Sequence, residues 1–314
     1  MNNVMNITWI FKDFVKQLGL EMNFYLKFHL RRKTFKETVA ICRKGGYYSK
    51  QHDYIELPDS ETMKKGSCFY SEELAPWNGS SINRDTEFEV INDDCLLAAK
   101  RLKNDGFNPA VLNMASDSNP GGGVMYGVGA QEENIFRRTN LFLSLFQFAP
   151  YAGKYGLEKS KDQYPLDQNF GGVYTPDACV FRGLEKDGYP LLDEYYNLSF
   201  IAVPALNRPK KNRIGDIIPK LLPVIKNKIR TIFRIGLHKG HDALVLGAWG
   251  CGAFRNPPAH IARLFHEVLE EDEFKNKYRK IVFAILGDRN SGWSYNPEGN
   301  LVPFQREFEQ NPVS

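Results

Sequence analysis

The sequence predicts a three-layer α/β fold, with a mixed central sheet covered by helices on both faces and a mainly helical extension before it. Three observations lead to this prediction. Short apolar segments alternate with longer segments of helical periodicity, which is typical of a sheet layered with helices. The predicted strands are almost entirely apolar, as expected when both faces of a sheet are covered. The 314 residues suffice for one main domain and an extension.

The N-terminal extension is predicted to span residues 1–85, before a main domain of residues 86–314. Helical periodicity over residues 7–44 predicts a helix that is rich in basic residues and stops at Gly45-Gly46. Residues 47–85 are predicted to be irregular with short strands. Charged residues interrupt the apolar residues of the N-terminus, so neither a signal peptide nor a membrane span is expected, and we expect a cytoplasmic protein.

The main domain is predicted to alternate strands with helices. The predicted strands are residues 88–92, 110–114, 172–181, 199–203, 243–246 and 281–286. The predicted helices are residues 93–104, 130–148, 214–237 and 260–269. An acidic residue begins the first of these helices, and Pro219 and Pro223 interrupt the early part of the third.

Composition excludes several classes of protein. Hydrophobic residues make up 42% and charged residues 25%, as in ordinary globular proteins, and the formal charge of +4 permits a polyanionic partner without requiring one. The five cysteines are far apart, without a CxxC pair, and the six histidines show no spacing typical of metal ligands. We therefore expect no disulfide framework, no metal and no cofactor.

The most informative segment is the loop after the second predicted main-domain strand. There Gly121, Gly122 and Gly123 follow Pro120 and remove side chains where the backbone must lie close to another group. Ligands bind beyond the carboxyl ends of strands in α/β sheets, and exposed amides in such loops can hold phosphate or sugar oxygens. The pattern indicates a ligand-binding loop. Gly122→Val is then expected to abolish binding of the ligand to this loop while changing the melting temperature of the protein little.

Gln131, Glu132 and Glu133 open the helix that follows this loop. One acid in a first turn needs no function, because it interacts favourably with the helix dipole. Two adjacent acids diverge by roughly 100° around a helix, so they are expected to have different roles. One carboxyl can protonate a leaving oxygen and later activate water, while the other can hold substrate hydroxyls.

A second glycine-rich loop, residues 247–254, follows the predicted strand 243–246. Asn256 is predicted to be the N-cap of the next helix, with Pro257 or Pro258 in its first turn. A glycine loop before a helix can bind an anion, but a tight turn has the same composition. Cys251 is interpreted as a small residue that fills the turn, and Phe254 either stacks on a ribose or packs in the core.

Together these motifs resemble the poly(ADP-ribose) glycohydrolase family. The run GGG-x7-QEE from Gly121 to Glu133 is similar to the family signature. The run LGAWGCGAF from Leu246 to Phe254, together with Asn113-x-Ala-Ser, is similar to the smaller microbial branch. The resemblance extends over residues 31–290 and is dense only in the two loops.

The resemblance implies a macrodomain fold and hydrolysis of the O-glycosidic ribose–ribose bond of poly(ADP-ribose), without a metal. Glu133 would protonate the leaving ribose oxygen and then activate water, while Glu132 would orient ribose hydroxyls. The implied substrate-binding residues are Asn113, Asn119, Gly121, Gly122, Gly123 and Gln131 on the ribose side, and Gly250, Cys251, Gly252, Ala253 and Phe254 in the second loop. The accessory region of animal glycohydrolases is missing, which favours cleavage from chain ends.

Two other functions remain open at this stage. A macrodomain-like protein can bind ADP-ribose without hydrolysing it, or remove single ADP-ribose units from protein or nucleic acid. The segment 208–239 carries ten basic residues and one acid, Asp216, and is interpreted as a solvated helix face or as a surface for nucleic acid. The acids of residues 267–273 are predicted to be a solvated helix end.

Overall fold

A computed structural model describes residues 24–82, 84–287 and 295–309, so the predicted helix 7–44 lies partly outside the described residues. The chain divides into two compact units. The first comprises Met1–Ser67, Asn119–Lys161 and Thr175–Asn197, and the second comprises Cys68–Ser118, Asp162–Tyr174 and Leu198–Ser314. The units cut across the predicted boundary at Asp85, and the division into an extension of residues 1–85 and a main domain of residues 86–314 stays a prediction.

The described residues form helices and strands that we number in chain order. The helices are α1 (Phe24–Lys44), α2 (Glu61–Gly66), α3 (Cys95–Asn104), α4 (Gln131–Arg138), α5 (Phe142–Leu145), α6 (Leu222–His238), α7 (Pro258–Leu269) and α8 (Leu301–Glu309). The strands are β1 (Gly46–Tyr48), β2 (Tyr54–Glu56), β3 (Cys68–Tyr70), β4 (Glu87–Ile91), β5 (Pro109–Asn113), β6 (Gly172–Arg182), β7 (Leu191–Ala202), β8 (Ala243–Leu246) and β9 (Lys280–Ala284). None of the helices within the described ranges is long and apolar enough to cross a membrane.

A seven-stranded sheet in the order β3-β6-β7-β5-β8-β9-β4 organises the fold. Strand β5 pairs in parallel with β7 and β8, β9 pairs in parallel with β8 and β4, and β3 pairs antiparallel with β6. The predicted mixed sheet is therefore confirmed. Strands β6 and β7 each run from one unit into the other, and β1 and β2 form a separate antiparallel pair in the first unit.

The second unit has a largely aliphatic core that contains a group of packed aromatic rings. Trp249 and Phe265 lie 6.0 Å apart, and Phe265 lies 6.1 Å from Phe233. Helix α8, which the sequence did not predict, adds Phe308 to this core, and its ring stacks on Phe283 at 4.4 Å. In the first unit Phe35 of α1 packs against α5, with its ring 5.9 Å from that of Phe142. This contact fixes α1 beside the helices that follow the glycine loop.

The single helix predicted over residues 130–148 is wrong. Helix α4 ends at Arg138, because Thr139 takes an extended conformation and bridges Val180. The Thr139 hydroxyl donates to the Ile135 carbonyl, and Asn140 exchanges hydrogen bonds with the backbone of Cys179. Polar side chains that bond to nearby backbone compete with a continuing helix, which explains the break.

Two other boundaries differ from the prediction. Strand β7 begins at Leu191 rather than at residue 199. The prediction missed its first half because that half contains polar residues and is incompletely buried, so it lacks the continuous apolar pattern of the second half. Helix α6 begins at Leu222, after a short turn at Pro219–Leu221, rather than at residue 214. Before it, Ile217 is extended and donates its backbone N–H to His260 Nδ1 at 2.9 Å.

Three of the ten basic residues in segment 208–239 pair with acids at the end of α7 or just after it. Arg230 pairs with Glu271 at 2.7 Å, and Arg234 pairs with Glu273 at 2.7 Å. Lys226 pairs with Glu267 at 2.8 Å. The acids of residues 267–273 are therefore not a merely solvated helix end. They reduce the charge that this helix could offer to nucleic acid, and binding of nucleic acid there stays a prediction.

Lys228 of α6 differs from these ion-paired residues, because its side chain is almost completely buried. Its Nζ donates to the Asp167 carbonyl at 3.4 Å, and burial lowers its pKa to about 8 despite the charges of Asp167 and Asp117. The unfolded chain therefore binds more protons than the native state between about pH 8 and pH 10, and stability contributed by this group rises with pH across that window. At neutral pH the buried ammonium opposes folding.

Lys228→Met is accordingly expected to raise the free energy of unfolding by about 2 kcal/mol at neutral pH, with a gain that shrinks towards zero near pH 10. Denaturant unfolding at both pH values measures the effect. Lys226→Met is the matched control, because Lys226 lies on the same helix but is more exposed, and its effect should stay within about 0.5 kcal/mol. Destabilisation by Lys228→Met at neutral pH would contradict the expectation.

Candidate active site

The three consecutive glycines of the first loop are each required by a different close contact. Gly121 has φ +78°, and a Cβ on it would lie 2.6 Å from the Phe136 ring. Gly122 has φ +53°, and its Cβ would lie 2.5 Å from Oε1 of Glu133 and 3.1 Å from Oε2 of Glu132. At Gly123 a Cβ would collide with the side chain of Val128. All three glycines are therefore needed for the packing of the loop, and Gly122 allows the backbone to lie against both carboxylates.

Both carboxylates are buried and held by backbone amides of this loop. Glu132 is 4% exposed and accepts a hydrogen bond from the Gly121 N–H at 2.9 Å. Glu133 is 5% exposed and accepts from the Gly123 N–H at 2.8 Å and from the Ala130 N–H at 3.1 Å. The Ala130 contact is half of a capping box, in which an acid at the third helical position reaches back to the N-cap amide. The two adjacent acids thus hold different parts of the loop.

A tyrosine lies close to the same carboxylates. The Tyr151 hydroxyl donates to the Pro120 carbonyl at 3.3 Å, where the glycine loop begins. Burial, Tyr155 and the charge of Glu132 together raise the pKa of Tyr151 above its ordinary value. Tyr151 therefore stays protonated at neutral pH and serves as a hydrogen-bond donor.

Arg137 ties α4 to the glycine loop. Its guanidinium is fully buried and donates from both terminal nitrogens to the Val128 carbonyl, at 2.9 and 2.8 Å. Its Nε donates to the Tyr189 hydroxyl at 2.9 Å. Thr38 of α1 donates to the Arg137 carbonyl at 2.6 Å. This network fixes the far end of the loop relative to the helix that carries both acids.

A second ion pair supports the same end of the loop. Arg31 of α1 pairs with Glu185 at 2.7 Å, and the Arg31 guanidinium lies so close to Gly129 that a Cβ there would not fit. Burial raises the pKa of Glu185, but Arg31 and the Tyr189 hydroxyl lower it more, so the net pKa lies below its ordinary value. Glu185 therefore stays ionised, and the pair persists at neutral pH.

The second loop lies in the other unit and is built around Trp249 and Asn256. The Trp249 indole is completely buried and donates to the Val203 carbonyl at 2.9 Å. Gly250 has φ +74°, and a Cβ on it would lie 2.5 Å from that of Ala205. The Asn256 amide donates to the carbonyls of Leu206 at 2.8 Å and Gly250 at 3.0 Å. The predicted N-cap role of Asn256 is therefore wrong, because its side chain closes the loop and Pro257 caps α7.

The remaining residues of the second loop differ in exposure. Cys251 is completely buried, so its side chain fills the turn, and its Sγ donates to the Trp249 carbonyl at 3.6 Å. Gly252 is partly exposed and Ala253 is exposed. Phe254 is partly buried against the core of the second unit. Backbone at Gly252 and Ala253 is therefore accessible, whereas the Cys251 thiol is not.

The other predicted site residues lie around the first loop and the central strand. Asn113 is completely buried at the end of β5, and its carbonyl accepts from the amides of Ala115 and Val203. Asn119 is exposed, and its carbonyl accepts from the Gly122 N–H at 2.9 Å. Gln131 begins α4 and is partly buried. Asn119, Gln131 and both acids thus belong to the first unit, while Asn113 belongs to the second.

Comparison with known proteins gives consistent matches. A family model described as "Microbial-type PARG, catalytic domain" matches residues 35–183. A poly(ADP-ribose) glycohydrolase from Thermomonospora curvata bound to the inhibitor ADP-HPD is 30% identical, with a TM-score of 0.69, over 89% of this chain and 100% of the other. The chain belongs to the microbial-type poly(ADP-ribose) glycohydrolase family.

Further structures of this family agree. A second structure of the T. curvata glycohydrolase is 29% identical with a TM-score of 0.72, over 89% of this chain and 100% of the other. The glycohydrolase from Deinococcus radiodurans in complex with ADP-ribose is 29% identical with a TM-score of 0.61, over 82% of this chain and 99% of the other. No curated protein sequence matches significantly. The predicted macrodomain-like fold and glycohydrolase family are confirmed.

The glycohydrolase site contains residues that sequence reasoning missed. Arg137, Tyr151 and the pair of Arg31 with Glu185 all support the first loop. Arg137 sits in the last turn of α4, where a basic residue is ordinarily explained by the helix dipole, so composition could not reveal its burial. The individual roles of Glu132, Glu133 and the substrate-binding residues stay predictions. Among the described parts of the chain, no three His, Cys, Asp or Glu side chains form a group that could hold a metal ion.

Proposed function

We propose that this glycohydrolase cleaves the ribose–ribose O-glycosidic bond of poly(ADP-ribose) from chain ends and releases ADP-ribose, with Glu133 as the general acid and base. One observation carries the proposal. Two buried carboxylates, Glu132 and Glu133, open one helix and are each held by an amide of the triple-glycine loop. A loop that only needed to turn would not require two buried charges, because burying a carboxylate costs free energy.

The arrangement supports a division of labour between the acids. Glu133 has both oxygens fixed by backbone donors, so its position is set before substrate binds. In the first step it would give a proton to the leaving ribose oxygen as the bond from that oxygen to the anomeric carbon breaks. In the second step it would take a proton from water as the water oxygen joins the anomeric carbon. Glu132 would hold the ribose hydroxyls.

The second loop is proposed to bind the diphosphate. Gly250, Gly252 and Ala253 precede the N-terminus of α7, where backbone amides favour an anion, and Phe254 would pack against a ribose. The ligands named for the relatives, ADP-ribose and ADP-HPD, fit a nucleotide site of this kind. The proposal includes no metal and no cofactor. Cytoplasmic residence is likewise proposed from the sequence.

Product analysis with long, radiolabelled poly(ADP-ribose) tests this function. Cleavage from chain ends predicts that free ADP-ribose appears at the earliest times while the long chains shorten gradually. Early short oligomers would instead indicate cleavage within the chain. A protein carrying single ADP-ribose units is the second substrate, and we expect no release from it. Tight polymer binding without any release would leave only an ADP-ribose-binding protein.

A further inference from the structure

The exposed side of α1 carries basic residues only. Six of them recur along the helix at spacings that place them on one side: His29, Arg32, Lys33, Lys36, Arg43 and Lys44. We call this set the basic stripe. The described part of the helix contains one acid, Glu37, which pairs with the buried Arg182 at 3.4 Å and also interacts electrostatically with Lys33. The first four members of the stripe also line one surface cavity.

Two members of the basic stripe, Arg32 and Lys36, are not compensated in the way that the arginines of α6 are. Within residues 24–82, 84–287 and 295–309, Arg32 and Lys36 have no carboxylate within ion-pair distance. On α6, by contrast, Arg230 and Arg234 each pair with a glutamate at 2.7 Å. Cations such as Arg32 and Lys36 attract polyanions more strongly than cations held in ion pairs do. Of the two basic helices, α1 is therefore the better surface for a polyanion.

The glycine loop that donates hydrogen bonds to the carboxylates lies directly against the start of this stripe. A Cβ at Gly127 would collide with the backbone of Phe28, the residue before His29. Beside Gly127, the Tyr126 side chain is 75% exposed, although an aromatic ring gains free energy from burial. Tyr126 thus sits between the glycine loop and the basic stripe with its ring open to solvent.

We propose that the basic stripe and Tyr126 bind the part of the poly(ADP-ribose) chain that extends beyond the unit being cleaved. The inference rests on the proposed function, because it takes its polymer from that function. Every unit of this polymer supplies a diphosphate and an adenine. Lysine and arginine side chains pair with phosphates, and exposed aromatic rings stack with bases in proteins that bind single-stranded nucleic acids.

Binding measured in the Glu133→Gln background, where we expect the polymer to survive, tests the stripe. Adding Arg32→Glu and Lys36→Glu should raise the ratio of Kd for long polymer to Kd for ADP-ribose about tenfold at low salt. The slope of log affinity against log salt should flatten by about 1.4, from about 0.7 for each lost phosphate contact. Lys100→Glu with Lys103→Glu changes two exposed lysines of α3, in the second unit, by the same total charge and should leave the ratio unaltered.

Tyr126 gives a test that does not depend on charge. Tyr126→Ala should raise the same Kd ratio about fivefold to tenfold, and Tyr126→Phe should restore it, because stacking requires the ring and not the hydroxyl. Equal effects of the stripe variant and its control would overturn the inference. So would single-stranded RNA of equal charge that binds as tightly as the polymer. Failure of the wild type to release ADP-ribose, with stripe-dependent polymer binding intact, would instead defeat the proposed hydrolysis.

Discussion

Glu133→Gln is expected to lower kcat/KM on poly(ADP-ribose) about 1,000-fold, because general acid–base catalysis contributes about 100-fold to 10,000-fold. The amide cannot deliver the proton to the leaving oxygen. The N–H groups of Gly123 and Ala130 each donate to one oxygen of the Glu133 carboxylate, so the side-chain nitrogen of the glutamine must face one of these two donors. One loop hydrogen bond is then lost, which costs about 1 kcal/mol of stability. Free ADP-ribose release, measured with the melting temperature, separates the two effects.

Glu132→Gln is the matched control for this substitution. Glu132 lies on the same first turn, is equally buried, and also accepts a hydrogen bond from the glycine loop. Its proposed task is to hold hydroxyls, so the loss should be about 10-fold to 100-fold and appear largely in KM. If Glu133→Gln kept kcat/KM within about tenfold of wild type while Glu132→Gln was inactive, the roles proposed for the two acids would have to be exchanged.

The part of the candidate site that could be predicted is the part formed by residues close together in the sequence. The triple glycine, the two acids and their spacing stand in one short run, so both the loop and the family resemblance could be identified. The glycines, however, were assigned to close approach of a ligand, whereas the structure gives each a role in packing, which at Gly122 is against Glu132 and Glu133. Side-chain collisions depend on φ and on residues distant in sequence, which periodicity does not encode. Supports such as Arg137 were missed for the same reason.

The fold was predictable where apolar periodicity is strong. Strands β5, β8 and β9 are short, nearly all buried, and were placed within two residues of their observed ends, as the predicted ranges 110–114, 243–246 and 281–286 show. Strand β7 was predicted only in its buried half. The break after Arg138 depends on Asn140 bonding to Cys179, a contact between distant segments. Local patterns identify buried elements well but cannot indicate where tertiary hydrogen bonds interrupt them.

Gly122→Ala is expected to lower kcat/KM about 100-fold, through displacement of Glu133 rather than through loss of a ligand contact. The new Cβ would lie 2.5 Å from Oε1 of Glu133, so that carboxylate must move. A misplacement of about 1 Å in a reacting group can cost about 100-fold in rate. The φ of +53° also disfavours any side chain by about 1–2 kcal/mol, so the melting temperature should fall. The sequence-based expectation that Gly122→Val changes the melting temperature little is revised accordingly.

Gly106→Ala separates strain from displacement. Gly106 also has a positive φ, +80°, but nothing lies within 4 Å of its Cβ position. The two variants should lose similar stability, while only Gly122→Ala loses activity on the polymer. Because backbone strain is matched, any difference in rate reports the position of the carboxylate. Equal activities in the two variants would mean that the reaction does not depend on where the glycine loop holds Glu133.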